Sequence, residues 1–419
     1  MTAYSRKLPL VLVLVLGLVS VGGRAEVDHI SEQLLSVFYP YRQGPPQIEG
    51  ITPGLRLDHS NFQVGRAVLP AELLKYGLAG DFAITVQPTT DMPLREQYIK
   101  ATEHYAPQVE LGEGKLNNYV AGLPFPLIDP HDPRAGEKVA WNLRYQDEGE
   151  TMQYWSTNEH RTGSGVVERT ERFYSIVQYG MHRPAPADNP PQWEKLGVYT
   201  KRYNLMLSPA DLEGSQALTY RYDQDTRLSD KWVYDPKSRR TRKVVDNPYE
   251  APGNGELLAE DIWGFYGYLH AYEWTYLGEQ VVLAPGPIQA AAPTWGGHGN
   301  WYPVDPWELR RARVVEARSK ESHPLYSRRV LYIDLQTDCL LYSLAYDHTG
   351  AHKRTFINVY YHPTFNPWHN ESGIPQYAAQ ASMDHQWDRA GIFQVYKVFY
   401  NRPLTDLRVG VAGLMLYGK

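Results

Sequence analysis

The sequence predicts a mainly β protein of the α+β class, built on a twisted antiparallel sheet, and three observations carry that prediction. From Lys138 onward, runs of five to ten residues rich in Val, Ile, Tyr, Trp and Thr follow one another with turn residues between them. Between Arg328 and Tyr361, Val330-Leu-Tyr-Ile-Asp-Leu, Leu340-Leu-Tyr-Ser-Leu-Ala-Tyr and Arg354-Thr-Phe-Ile-Asn-Val-Tyr-Tyr are separated by Gln336-Thr-Asp and Asp347-His-Thr-Gly, which makes a three-strand meander. The rings are 32 Tyr and 11 Trp against 10 Phe, so most carry a polar handle on an apolar body, as strands and amphipathic surfaces use. Alternation of Leu331, Ile333 and Leu335 with Tyr332 and Asp334 predicts one dry sheet face and one at least partly wet.

The chain opens on an address. Arg6 and Lys7 form a basic start, Leu8 to Val21 is apolar, and Gly23-Arg24-Ala25 offers small residues for cleavage after Ala25, so residues 1–25 read as a secretory signal peptide. The apolar run falls short of the ~20 residues that span a bilayer. Losing Arg6, Lys7 and Arg24 with no acid takes the formal charge from −5 to −8, which disfavours nucleic acid as a partner. The one cysteine, Cys339, is far from the cleavage point, so the mature protein is expected to be periplasmic, not lipid-anchored, and without an internal disulfide. Cys339 itself reads as a buried, inert thiol.

Ile30, Leu34, Leu35 and Phe38 lie at helical spacing before Pro40 and Gly44-Pro45-Pro46, predicting a short helix. Ala71 to Leu78 predicts a second helix, Asp81 to Val86 a strand, and Pro93 to His104 a third helix. Strands are then expected at Val139 to Tyr145, Val166 to Tyr179, Val198 to Leu207, Gln216 to Tyr222, Lys231 to Tyr234 and Tyr272 to Leu283. Ala284 to Pro306, rich in Pro, Gly and Ala, reads as a long surface loop, with strand texture resuming at Leu309. Gln376 to Arg389, with Ala378, Ala379, Met383 and Trp387, reads as a helix.

Catalytic motifs mostly fail on spacing. Gly163-Ser164-Gly165 lacks the spacers of a nucleophile elbow and reads as a hairpin turn. Gly112-Glu-Gly-Lys is too short for a phosphate loop, and Gly253-Asn-Gly has no third glycine. His348, His352, His362 and His369 would make a zinc site only if the meander brought them together; no HExxH pair exists, and turn histidines usually serve as exposed hydrogen-bonding groups. Asp384-His385, adjacent on the expected helix, would not face one another. Glu256, Glu260 and Asp261 near Trp263 suit glycoside chemistry in residue type, but sequence does not supply their separation. The basic run holding Lys237, Arg239, Arg240, Arg242 and Lys243, like Arg310-Arg-Ala-Arg, reads as a solvated strand face, or functionally as a dock for anionic headgroups or an acidic partner.

Gly122-Leu-Pro-Phe-Pro with Val139-Ala-Trp-Asn, then Trp232-Val-Tyr-Asp-Pro-Lys-Ser-Arg-Arg-Thr-Arg-Lys, then Leu309-Arg-Arg-Ala-Arg-Val-Val-Glu-Ala with Tyr326-Ser-Arg-Arg-Val-Leu-Tyr-Ile-Asp, occur in an order that resembles a proteobacterial family of secreted proteins of unknown function, family thirteen-twenty-nine. The resemblance runs from about Gly122 to the end; the Gly-Asn-x-Asp-Gly segment associated with the family's N-terminus is missing here. Members are described as outer-membrane-lipoprotein-sorting-like. The resemblance therefore implies a strongly curved antiparallel sheet, the half-open β-barrel of the periplasmic lipoprotein carriers, with a few helices across its mouth. It carries no catalytic residues and no cofactor.

The expected organisation is a signal peptide at 1–25, an N-terminal α/β elaboration at 26–121 and a curved antiparallel β-sheet domain at 122–419. A concave apolar sheet face would shield an acyl chain or sterol-like compound at about 0.8 kcal/mol per buried methylene. Trp141, Tyr234, Leu331, Ile333, Leu340, Tyr342 and Ile357 are the expected ligand-binding residues, and ordinary core packing explains each of them equally well. The expected function is a soluble periplasmic carrier or chaperone for a hydrophobic ligand, without chemistry of its own, working with envelope transport proteins and touching membrane transiently. The alternative is a periplasmic hydrolase acting on envelope glycan or lipid, with a metal on the four histidines.

Overall fold

The computed structural model describes residues 31–185, 191–250, 257–321, 323–365, 368, 372–404 and 407–416. The expected signal peptide, Gly253-Asn-Gly, Glu256 and His369 lie outside the described residues. Among the described residues, no helix is long and apolar enough to cross a membrane.

Thirteen strands of the described chain form one antiparallel sheet: β1 (Thr151–Thr162), β2 (Val167–Tyr179), β3 (Val198–Ser208), β4 (Gln216–Tyr222), β5 (Asp230–Asp235), β6 (Arg240–Val245), β7 (Tyr272–Pro285), β8 (Trp307–Ser319), β9 (Arg328–Asp334), β10 (Leu340–Tyr346), β11 (His352–Tyr361), β12 (Gln376–Asp384) and β13 (Arg389–Tyr400). Their spatial order is β6-β5-β4-β3-β2-β1-β13-β12-β11-β10-β9-β8-β7. Each strand lies beside its sequence neighbour except at two places. β1 pairs with β13 from Met152↔Tyr400 to Thr162↔Arg389, joining the two ends of the meander, while β6 and β7 part to become the edges of the sheet. The sheet therefore curls without closing. Local turn chemistry sets the hairpins: Gly165 at φ 82° turns β1 into β2, and Gly350 at φ 83° turns β10 into β11, where the Asp347 carboxylate accepts from the amides of Thr349 and Ala351.

The helices are α1 (Glu32–Phe38), capped by the Ser31 hydroxyl, α2 (Ala71–Ala79), ended by Gly80 in the left-handed region, α3 (Glu96–Tyr105), α4 (Ala135–Arg144), α5 (Pro191–Leu196) and α6 (Val411–Leu416). They and the loops cover both faces of the sheet. On the outer face of β7–β13, Leu57, Phe62 and Leu73 from the N-terminal region pack with Leu283, Val314 and Tyr342. On the outer face of β1–β5, Leu414 of α6 packs with Ile176, Tyr203, Leu218 and Tyr234. The inner face of β7–β13 receives α4, whose Val139, Ala140 and Leu143 pack with Val315, Leu331 and Ile333. Gly136 permits this approach, since a Cβ there would sit 2.8 Å from the backbone of Trp274 on β7. The segment before the sheet is tied to it by Arg310 of β8, which is held by Asp334 and Glu308 and donates to the Thr90 carbonyl, and is braced within itself by the buried pair Arg95–Asp147.

Several expectations need correction. Val139 to Tyr145 is not a strand but falls in α4 and its C-cap, because Val139, Ala140 and Leu143 are spaced to bury one helical face. Gln376 to Arg389 is not a helix: Gln376–Asp384 is β12, and His385 lies in the turn that follows. The alanines that suggest a helix are there because β12 is buried on both faces and its neighbours leave room only for small side chains. The partly wet face of the meander is also absent, since every residue of β10 is buried between the N-terminal cover and the inner-face packing. Ala284 to Pro306 does not stay on the surface; Trp301 and Tyr302 are 1% and 0% exposed in the outer core. The strand expected at Asp81 to Val86 is reduced to Ile84–Thr85, paired with Arg56–Leu57.

A segment from Leu258 to Tyr268 crosses the inner face as a strap, and charge holds it there. Arg329 of β9 donates to Glu260 at 2.6 Å and to Asp261, and Arg354 of β11 bridges Asp261 at 3.2 Å and Asp384 at 2.9 Å. Glu260 also meets His323 at 2.7 Å and the Tyr272 hydroxyl at 2.7 Å, and Tyr326 donates to Asp261. Backbone carbonyls of the strap accept from the sheet as well: Gln380 binds that of Asp261, Asn358 that of Trp263 and Ser343 that of Gly264. At the other end, Arg221 of β4 donates to the carbonyls of Tyr266 and Gly267, and Tyr268 binds Ser229 beside β5. Within the strap, Trp263 stands at φ 57°, a strained value for a bulky residue.

Removing one partner of a buried ion pair leaves the other charge uncompensated. Arg329→Met is therefore expected to lower stability by about 3–5 kcal/mol, read by urea denaturation; a loss below about 1 kcal/mol would show that the strap does not depend on this clamp. A second prediction concerns His352 and His385, which stack around Tyr76, with His385 and Tyr76 ring centroids 4.0 Å apart. Burial pushes His352 down to about 4 and His385 to about 3. Both are neutral in the folded state and protonate more readily when unfolded, so stability is full above pH ~6.5 and falls as pH drops toward 4. His385→Phe is expected to reduce that acid-induced loss by roughly 1–3 kcal/mol in denaturation series at pH 7 and pH 5; parallel losses in both proteins would contradict it.

Candidate functional site

Between the strap and the inner face of β1–β5 lies a cavity of about 600 Å³. Its wall follows from strand alternation. On β3, Tyr203, Leu205 and Leu207 turn outward into the cluster under α6, so Arg202, Asn204 and Met206 turn inward. The same parity sends Phe173 and Ser175 of β2, Ala217 and Thr219 of β4, and Lys231 and Val233 of β5 to the cavity. Register aligns them across strands: Phe173 with Met206, and Arg202 with Thr219, which in turn faces Lys231. Met206 lies four positions along β3 from Arg202, or about 13 Å along the strand. At the Met206 end Phe173 and Phe393 stand among the polar Ser156, Asn158 and Glu171; the Arg202 end is cationic and aromatic.

At that end Arg202, 8% exposed, places its guanidinium carbon 4.5 Å from the Trp263 ring centre and 4.4 Å from that of Tyr266. Arg221 approaches the same Tyr266 ring at 4.5 Å. Burial alone would raise the Tyr266 hydroxyl, but the two guanidiniums outweigh it and hold its pKa below the usual phenol range. Beyond the strap a cavity of about 60 Å³ shares Arg221, Trp263 and Tyr266 and reaches Glu148. Burial raises the pKa of Glu148, against the hydrogen bond donated by Tyr179 and the field of Arg202.

The carboxylates of the large cavity are engaged. Glu171 pairs with Arg169 and His160, Asp235 binds Ser238, Asp246 accepts from Tyr268, Glu250 lies 3.5 Å from Lys231, and Glu260 belongs to the clamp. Arg202 differs. Among the described residues it makes no ion pair or hydrogen bond, and its Nε and Nη2 have no partner. The Ser156 hydroxyl, the Asn158 carbonyl oxygen and the Gln216 amide nitrogen, all on the cavity, are likewise unpartnered.

Of the ligand-binding residues expected from sequence, Tyr234 borders the large cavity, although its ring packs in the outer cluster, and Leu340 borders the small one. Trp141 lies on α4, and with Leu331, Ile333 and Leu340 it belongs to the packed inner core; Tyr342 and Ile357 face the opposite side, in the outer core. The histidines do not converge. His352 begins β11 and His362 follows its end, about 33 Å of strand apart. His348 binds the His323 carbonyl and His362 the Asp91 carbonyl. Among the described residues, no group of three metal-ligating side chains comes together. Glu260 and Asp261 are absorbed in ion pairs, and Arg329 and His323 overcome burial to hold Glu260 below the usual carboxylate range, the reverse of what a general acid needs. Cys339 is buried, and burial raises its thiol pKa. Lys237, Arg239, Arg240, Arg242 and Lys243 all lie exposed on the β5–β6 hairpin at the sheet edge, where Lys243 pairs with Asp230 at 2.7 Å.

Arg202 and Arg221 were not among the expected site residues. The alternation of polar and apolar residues in Lys201-Arg-Tyr-Asn-Leu-Met-Leu was the signal for Arg202, but it does not say which set faces the cavity.

Among curated proteins, no sequence matches this chain. Among solved structures, a putative outer membrane lipoprotein-sorting protein domain from Vibrio parahaemolyticus is similar at 14% identity and a TM-score of 0.48, covering 68% of this chain and 100% of that one. A DUF1329 family protein from Desulfovibrio piger is similar at 17% identity and a TM-score of 0.48, covering 68% and 99%. A LolA superfamily protein from Nitrosomonas europaea is similar at 11% identity and a TM-score of 0.40, covering 66% and 98%. The family model described as a protein of unknown function, DUF1329, matches residues 60–398, most of the length of the curled sheet and its N-terminal cover, and the chain belongs to that family.

Proposed function

We propose that this protein is a carrier which holds one hydrophobic or amphiphilic small molecule in the inner-face cavity. Following the leader read at residues 1–25, it would do so in the periplasm, with the exposed β5–β6 hairpin as its contact with an acidic envelope partner. One observation carries the reading: a cavity of about 600 Å³ remains between the strap and β1–β5, although both faces of the other half of the sheet are filled. That size falls in the range of small-molecule sites, ~300–1,000 Å³. About ten buried methylenes would contribute on the order of 8 kcal/mol before the costs of association. The side chains of Phe173, Met206 and Phe393 offer such a chain apolar contact.

Titration of purified protein with the fluorescent apolar probe 1-N-phenylnaphthylamine is expected to saturate at one molecule per chain. Ala217 lies on the cavity wall, so Ala217→Trp should weaken that binding at least about tenfold, a cost of ~1.4 kcal/mol, with little change in melting temperature. Failure of the native protein to bind any probe saturably, or equal binding by the filled variant, would overturn the proposal.

A further inference from the structure

We infer that the occupant of the cavity is an acidic amphiphile, a chain bearing a single carboxylate, whose head pairs with Arg202 while its chain runs toward Phe173 and Met206. This rests on the carrier reading and narrows it to one ligand class.

Three observations support it. First, Arg202 is a buried cation that makes no ion pair or hydrogen bond among the described residues. Each carboxylate on the large cavity has its own partner, and Glu148, across the strap on the small cavity, feels the field of Arg202 without touching it and accepts from the Tyr179 hydroxyl. A buried guanidinium with open donors is costly unless an anion completes it. Second, the open donors form a recognition edge. Nε and Nη2 project from one side of the guanidinium, and this chain uses that same edge to grip carboxylates elsewhere: Arg95 holds Asp147 at 2.8 and 2.6 Å, and Arg310 holds Asp334 at 2.8 and 2.8 Å. At Arg202 both atoms of this edge are buried and have no partner among the described residues, on a side chain that lines the cavity. Third, head and chain have separate places. The cation stands about 13 Å along β3 from Met206, which faces Phe173 across the strands. A neutral sterol or hydrocarbon would leave Arg202 unpaired, and a small anion would leave Phe173, Met206 and Phe393 uncovered.

The test displaces bound 1-N-phenylnaphthylamine at pH 8 with dodecanoate, dodecan-1-ol and acetate, using the full mature chain. Dodecanoate is expected to bind roughly tenfold or more tighter than dodecan-1-ol, the margin of one charge-assisted hydrogen-bonded pair, and acetate should displace nothing at the same concentration. Arg202→Gln should bring the ratio of acid to alcohol affinity close to one, and Arg202→Lys should restore part of it. The wild-type ratio needs no variant, so the inference stays exposed even if Arg202→Gln folds poorly. Equal affinity for acid and alcohol would overturn the acidic-ligand inference and leave the carrier standing. Acetate binding as tightly as dodecanoate would replace the amphiphile by a free anion. A ratio unchanged in Arg202→Gln would remove Arg202 from the site. Absence of any probe binding would overturn the carrier reading itself.

Discussion

The buried clamp of Glu260 and Asp261 on Arg329 and Arg354 decides what the inner face of this sheet becomes. A strap carried on an irregular backbone, with Trp263 in a left-handed conformation, has little reason of its own to lie across a sheet. Four charged groups in a low-dielectric interior, supplemented by Gln380, Asn358 and Ser343 on three strap carbonyls, hold it there. Such a network is weak evidence for net stability, because taking its charges out of water costs nearly as much as their attraction returns. What it supplies is position. On one side the strap and α4 fill the sheet; on the other it stands off from β1–β5 and closes over a cavity.

The same placement accounts for the two different halves of one sheet. Strands β9 to β12 are covered on both faces and read as nearly continuous burial, as Leu340–Tyr346 does residue after residue. Strands β1 to β5 keep their alternation, but in an inverted sense: Tyr203, Leu205 and Leu207 face outward beneath α6, while Arg202, Asn204 and Met206 face the cavity. An interior surface of mixed polarity is what a ligand with a head and a chain requires, and a purely greasy tunnel would not supply it.

Much of the architecture was legible in the sequence. Strand runs such as Gln216–Tyr222, the three-strand meander and the glycine-marked turns carry local signals strong enough to survive folding. The resemblance based on Gly122, Trp232 and Leu309 with their neighbours pointed to the family that the model match confirms. Ala378 and Ala379 misled because alanine favours helices when nothing else decides, and here the crowding of a doubly covered central strand decides. Val139 and Trp141 misled for the converse reason, since their β preference yields to a helix that buries one face against β7 and β8. The site was least legible. Expecting apolar residues to face inward selected Leu331, Ile333 and Ile357, which fill a solid core, and passed over Arg202, whose meaning depends on a strap about sixty residues later in the chain.

Native mass spectrometry of the protein recovered gently from the cells that make it tests the central claim most directly, that the strap and β1–β5 enclose a place for one small molecule. The account predicts a mass increment of a single small amphiphile on each chain, released as an acidic lipid on collisional heating. Protein that is repeatedly recovered at its bare polypeptide mass, and stays so after incubation with envelope lipid extract, would contradict it.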